Sequence, residues 1–358
     1  MSFRIDQLLR DNIRKLVPYS SARDEFHGQA SIWLDANENS IGSPLLKWYN
    51  RYPDPYQQKI KEKIAGIKGI PAANQFIGNG SDECIDLLYR AFCEPGRDNV
   101  IICPPTYGMY EVSANINNIE IRRAPLLSDF QLNLESIAGL IDGNTKIIWI
   151  CSPNNPTGNS IHFESIETIL NNFDGLVVVD EAYINFARQK SFAQLLPEYP
   201  NLIILQTLSK AWGLAGLRLG MAFASEEIIS IYNKIKPPYN ISEAVQELVI
   251  KALDNVEEVN VMIKEIVLQR EWLRNELTTL PNVQHIYPSE ANFLLVKIDE
   301  AKNVYDYLVE KQIVVRDRSK VPGCEGCLRI TVGTEKENKE LIEALKSLKR
   351  KAHNDGNN

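Results

Sequence analysis

The sequence predicts an α/β fold: a large domain whose mostly parallel sheet is covered by helices, joined to a smaller α+β domain. Three observations predict it. Between Asn99 and Phe223, short apolar runs repeatedly follow more polar, helix-like stretches. The runs are Val100–Cys103, Lys146–Cys151, Leu176–Asp180, Leu202–Gln206 and Leu219–Phe223, and several are apolar throughout, as strands buried on both faces require. From Ser242 to Leu280 there is no proline or glycine, and Leu248, Val249, Ala252, Val256, Val259, Ile263, Ile266 and Leu268 recur at helical spacing. That predicts one long or broken helix. After Pro281 come strand-like runs at Phe293–Ile298, Ile313–Arg316 and Leu328–Val332, then a helix over Glu335–Lys351.

These patterns divide the chain. Residues 1–45 are expected to form an arm that joins the smaller domain, and 46–240 the large domain. Residues 241–280 are the connecting helix, 281–352 the smaller domain, and 353–358 a disordered polar tail.

Composition narrows the function. A chain of 358 residues, 44% hydrophobic and 24% charged, has material for a sizeable core. A net charge of -7 argues against a large nucleic-acid footprint. The basic run Lys346–Lys351 reads as the solvated face of the last helix. No apolar run approaches the roughly 20 residues of a membrane span, and the start lacks the apolar core of a signal peptide. The expected location is the cytoplasm. Cys84, Cys93, Cys103 and Cys151 lie in apolar segments and read as core. Cys324 and Cys327 form a single C-x-x-C pair, read as a turn before a strand and not as a zinc site. His27, His162, His285 and His353 are scattered, and no metal is expected.

Four segments carry chemistry: Ser152–Gly158, Val179–Tyr183, Thr207–Lys210 with Gly213, Gly216 and Arg218 after it, and Gly78–Asp82. The first three lie at or just beyond the C-terminal ends of expected strands, where open α/β sheets bind ligands. Pyridoxal phosphate needs a lysine amine, a carboxylate beside its ring nitrogen, phosphate donors and a planar stacking partner. Lys210 follows a buried run and can supply the amine. Asp180 ends another, where an unpaired carboxylate is costly and a protonated ring nitrogen is a suitable partner. The turn Gly80-Ser81 opens a helical pattern beginning at Asp82, so backbone N–H groups face an anion there. Asp82 and Glu83 oppose that anion and must turn away or be balanced; Arg218 and the hydroxyls of Thr207 and Ser209 can do this. Alone, each segment is an ordinary turn, cap or surface lysine; their order, each beside a buried run, is specific.

In these residues the chain resembles the fold-type I aminotransferases, which are pyridoxal-phosphate enzymes. The family's Asn-Pro-Thr-Gly turn is Asn155–Gly158, its Asp-x-x-Tyr is Asp180 with Tyr183, its Ser-Lys is Ser209-Lys210, and its arginine is Arg218. The resemblance implies that Asn155 and Tyr183 bond the cofactor's phenolic oxygen and that Asp180 pairs with its ring nitrogen. Lys210 would be both its covalent anchor and the catalytic acid–base. Tyr107 would stack on the ring; Ser209, Arg218 and the backbone of Gly80, Ser81 and Asp82 would hold the phosphate. Tyr52 would reach the cofactor phosphate of a neighbouring subunit, which implies a homodimer.

Within that family the chain is most similar to the branch acting on histidinol phosphate, through Leu16–Tyr19, Asp35–Asn39, Arg90–Gly96, Pro104–Tyr110, Val315–Asp317 and Cys327–Gly333. Ser40 departs from the proline common after Asn-Glu-Asn. The resemblance implies that histidinol phosphate, glutamate and 2-oxoglutarate are the substrates, with Arg316 and Arg329 as anion anchors, Tyr19 as a hydroxyl donor and Asn155 at the substrate. Rival readings are an aminotransferase of aromatic or aliphatic amino acids, a lyase resembling threonine-phosphate decarboxylase, and a cofactor-binding regulator without catalysis.

Overall fold

The computed structural model describes residues 4–19 and 31–355. A seven-stranded sheet holds β1 (Gln75–Asn79), β2 (Asn99–Ile102), β3 (Glu120–Arg123), β4 (Thr145–Cys151), β5 (Leu176–Asp180), β6 (Leu202–Thr207) and β7 (Leu219–Phe223) in the order β1-β7-β6-β5-β4-β2-β3. The pairs among β2 to β6 are parallel; β7 alone runs antiparallel to both neighbours, β1 and β6. Both faces are covered. Ile77, Ile101, Ile148, Val177 and Ile204 enter one apolar cluster, whereas Phe76, Val100, Ile147, Val178 and Leu205 enter another. That two-sided burial is why these runs are apolar without alternation.

A second sheet holds β8 (Val283–Ile286), β9 (Phe293–Ile298), β10 (Arg316–Asp317) and β11 (Cys327–Thr331), in the antiparallel order β10-β11-β9-β8. Here the strands do alternate. Leu294, Val296, Leu328 and Ile330 pack on helices 256–278, 301–310 and 335–355. Phe293 faces the large core instead, and Leu295 and Cys327 meet Phe130, with Cys324 beside them. The side of this small sheet that bears Arg329 therefore looks toward the large sheet.

The long connecting segment is two helices, Glu243–Ala252 and Val256–Thr278. The second bridges the two cores, with Val259 in the large one and Leu273 and Leu277 in the small one.

The amino-terminal arm departs from expectation. Among residues 4–19, Leu9 is buried in the large-domain core. The Arg10 N–H donates to the Ala91 carbonyl, Arg10 pairs with Glu94 at 3.1 Å, and Lys234 donates to the Arg14 carbonyl. Residues 4–19 thus lie on helices 81–92 and 226–235 of the large domain, not on the smaller one, with Ile5, Leu8, Leu9 and Ile13 packed on its core. Residues 20–30 of the expected arm lie outside the described residues. At the other end the last helix continues to Asp355, through part of the expected polar tail; residues 356–358 lie outside the description.

Candidate active site

The parallel order brings the ends of β4, β5 and β6 to one edge of the sheet, and β1, parallel to β6 through β7, delivers Gly80 and Ser81 to the same edge. A cavity of about 630 Å³ opens there. It is lined from the large domain by Ser81, Asp82, Tyr107, Asn155, Asp180, Tyr183, Thr207, Ser209, Lys210 and Arg218. The smaller domain contributes Arg316, Arg318 and Arg329.

Asp180 is the last residue of β5 and is buried. Its carboxylate accepts the Tyr110 hydroxyl at 2.8 Å and the Ala182 N–H at 3.0 Å. Burial pushes its carboxyl up to about 6, against the opposing pull of those two donors. Tyr110 is fixed in turn by stacking on Trp149 of β4, ring centroids 4.9 Å apart. Glu181, the next residue, points to the other side of the sheet. It accepts Ser191, the Phe192 N–H and Gln206, and burial raises it to about 7.

Lys210 stands at the end of the turn after β6, which is held by Thr207: the Ser209 N–H donates to Thr207 Oγ1 at 3.0 Å. The Lys210 ammonium lies 5.7 Å from the Tyr183 ring centroid. Burial, and then the Arg329 charge, lower its pKa, with Asp180 opposing. Asn155 donates to the Tyr183 hydroxyl at 3.4 Å, and Arg329 donates to the Asn155 carbonyl oxygen. The Arg329 guanidinium sits over Phe293, 5.2 Å from the ring centroid.

The anion cradle lies at the start of helix Ser81–Phe92, whose first N–H groups have no side-chain cap. Glycine is required on both sides of it. Gly80 has φ 76°, and a Cβ there would meet Arg218 Nη2 at 2.7 Å; a Cβ on Gly220 would lie 2.1 Å from Ser81 N. The two acids of the first turn are disposed of separately. Asp82 accepts Tyr107 at 3.1 Å and faces Arg218 at 3.4 Å. Glu83 turns away to the Asn79 N–H and Asn240.

These groups match the needs of pyridoxal phosphate. Asp180 could meet the ring nitrogen, and Asn155 with Tyr183 forms a polar pair that could bond the phenolic oxygen. An uncapped helix start with Ser209 and Arg218 suits the phosphate, and Lys210 suits the aldehyde.

Two expected site residues lie outside the cavity of their own chain, one of them, Tyr52, expected at a neighbouring subunit's site. Tyr19 is 76% exposed and lines a separate groove with Arg10, Tyr56 and Lys234, so within this chain it offers no donor to the cavity. The arm that carries it follows Leu9 onto the large domain. Tyr52 is half exposed, stacked on Tyr239 at 4.4 Å, and outside the cavity of its own chain. Two residues were missed. Tyr110 lies in the run Pro104–Tyr110 with Tyr107, and its helical register, three residues on, is the available signal. Arg318 stood two residues after Arg316, on the same face of a strand.

An α/β sheet ending in a buried carboxylate, a lysine and an uncapped anion cradle defines an enzyme site for a phosphorylated cofactor. Residues 36–345 match the model of aminotransferase class I and II, and the chain belongs to that family. It is 56% identical over 347 residues to the histidinol-phosphate aminotransferase of Cytophaga hutchinsonii, covering 97% of this chain and 100% of that one. It is 53% identical to that of Parabacteroides distasonis, covering 96% and 99%. Among solved structures, the histidinol-phosphate aminotransferase of Sinorhizobium meliloti in complex with pyridoxal-5'-phosphate shares the fold. It has a TM-score of 0.76 and 24% identity, covering 83% of each chain.

Proposed function

We propose that this chain is a pyridoxal-phosphate-dependent aminotransferase that interconverts histidinol phosphate and 2-oxoglutarate with imidazole-acetol phosphate and glutamate, running toward histidinol phosphate in histidine biosynthesis. One observation carries the substrate assignment. The cavity that holds Lys210 and Asp180 has a wall of three arginines, and near full-length relatives at more than half identity bear this activity in their names.

Bound pyridoxal phosphate supplies an aldehyde and a ring that withdraws electrons from the substrate α-carbon. The chain supplies the rest. Lys210 would anchor the cofactor, and its Nζ, biased toward the neutral amine by burial, would take the proton from the substrate α-carbon. Asp180 holds a proton on the ring nitrogen. Asn155 and Tyr183 would orient the phenolic oxygen, and Tyr107 would cover the ring. Gly80, Ser81, Asp82, Thr207, Ser209 and Arg218 hold the cofactor phosphate through backbone N–H groups, hydroxyls and one guanidinium. Arg316 and Arg329 fix the substrate's anionic groups.

The same reading makes the enzyme a cytoplasmic homodimer. Its support is a concentration of exposed apolar residues in one stretch, among them Ile32, Leu34, Ile41, Leu46 and Trp48, running up to Tyr52. Among the described residues, no helix is long and apolar enough to cross a membrane.

Lys210→Ala tests the assignment. The variant should bind the cofactor without covalent attachment and lose turnover of histidinol phosphate with 2-oxoglutarate. Turnover at the wild-type rate would refute it. Carbon dioxide release from phosphothreonine, or cofactor bleaching by aromatic amino acids alone, would replace the substrate.

A further inference from the structure

Arg318 is unaccounted for by the machinery described so far. Its backbone N–H donates to the Cys327 carbonyl at 2.9 Å, extending the ladder in which Arg316 opposes Arg329 and Asp317 opposes Leu328. By that register Arg316, Arg318 and Arg329 share one face, the face that lines the cavity. Asp317 lies on the other, where its carboxylate accepts the Ser319 N–H at 2.8 Å.

Among the described residues, none of the three guanidiniums is paired with a carboxylate. The two acids lining the cavity are engaged elsewhere: Asp82 with Tyr107 and Arg218, Asp180 with Tyr110 and the Ala182 N–H. Among the described residues, the Nε atoms of Arg318 and Arg329 are buried and have no hydrogen-bond partner. Burial and the neighbouring Arg316 both weaken the hold of Arg318 on its proton. A buried guanidinium donor left unpaired is costly unless a ligand completes it. The cofactor phosphate has its own cradle across the cavity at Gly80, Ser81 and Arg218. What remains for this wall is the distal group of the substrate.

We propose that Arg318 is a specificity-determining residue, a third arginine that binds the dianionic phosphate of the substrate and sets the preference for phosphorylated over neutral amines. Three convergent forks suit a group with three terminal oxygens and two negative charges better than a carboxylate with two oxygens and one. A neutral tail in the same place leaves the buried Nε unpaired, so the residue discriminates against such tails as well as attracting phosphate.

The inference rests on the substrate reading above, and its test separates the two. Cofactor-loaded wild type, Arg318→Gln and Arg318→Lys are compared in the amine half-reaction with histidinol phosphate and with L-histidinol, which differs only in lacking the phosphate. Retained cofactor absorbance and melting temperature show that each variant is folded. Arg318→Gln should lower kcat/KM for histidinol phosphate by about 10- to 100-fold, the size of a lost charge-assisted hydrogen bond. The loss should fall mainly in KM, kcat/KM for L-histidinol should hold or rise, and Arg318→Lys should recover part of the loss. Equal losses on both amines, or none, would overturn the inference. If wild type fails to react with histidinol phosphate, the substrate reading falls instead. Competition by inorganic phosphate against whichever amine does react then decides: weaker inhibition of Arg318→Gln sustains the anion site, and unchanged inhibition removes it.

Discussion

Replacing Tyr110 with phenylalanine removes one hydroxyl from beside Asp180. The hydroxyl donates to Asp180 at 2.8 Å, and the Ala182 N–H is the other donor to that carboxylate. Phenylalanine keeps the ring stacked on Trp149. A hydrogen bond to a charged group contributes about 1.5–3 kcal/mol, and tenfold in a protonation equilibrium is about 1.4 kcal/mol. The Asp180 carboxyl, pushed up to about 6, should therefore rise by roughly one to two pH units in the variant. Asp180 must be ionised to meet a protonated ring nitrogen, so below its pKa each bound cofactor releases a proton and affinity falls with pH. Titrating the cofactor-free protein with pyridoxal phosphate from pH 5 to 9, by absorbance, reads the break directly. Wild type should lose affinity as pH drops through about 6. The variant should begin to lose it between roughly 7 and 8, converge with wild type at higher pH, and bind about tenfold or more weakly at pH 6. A break at the same pH in both proteins, or an equal loss at every pH, would refute the reasoning.

Asp180→Asn bears on stability. Folding raises the wild-type carboxyl from 3.8 to about 6. It therefore favours the neutral form, an advantage complete below about pH 4 and lost as pH rises through 6, worth about 3 kcal/mol. Urea unfolding of the cofactor-free proteins at pH 4 and pH 7 should show wild type losing about that much more than the variant; parallel pH profiles would contradict the burial argument. Gly220→Ala should lower both melting temperature and cofactor affinity, because the new Cβ meets backbone at Ser81 and Gly80, which cannot give way like a side chain. Overpacking of this kind costs about 1–3 kcal/mol or more, and an unchanged melting curve with full cofactor binding would be the contrary result.

The strands legible in the sequence were those with a two-sided apolar run. β5 and β7 fall where the pattern places them, and β4 and β6 differ by one residue at an end. β3 and β8 were invisible because they lie at sheet edges and are largely exposed, so Glu120–Arg123 and Val283–Ile286 carry no apolar signal. β1 was read only as a glycine turn, since Gly78 interrupts a run of five residues. An apolar run also has no direction, so the antiparallel insertion of β7 between β1 and β6 could not be foreseen. Ten of the large-domain residues lining the cavity, from Ser81 to Arg218, followed from motifs. Tyr110 did not, because its function depends on which way one helical turn faces. Tyr19 was placed at the site by resemblance alone; residues 4–19 lie on the large domain through Ile5, Leu8, Leu9 and Ile13, a pattern too short to show in the sequence which core it joins.

The division of labour between the two sheets has an evolutionary consequence. Everything expected to grip the cofactor in this chain belongs to the large sheet, whereas the three guanidiniums that face the cavity from the opposite side occupy one short ribbon, β10 and β11 with the residue after β10. A duplicated gene could exchange side chains on that ribbon and acquire a new clientele while its reaction chemistry stayed untouched. On the proposed reading, selectivity resides in a detachable faceplate, so change at positions 316, 318 and 329 is where a sister enzyme with different tastes would first show itself.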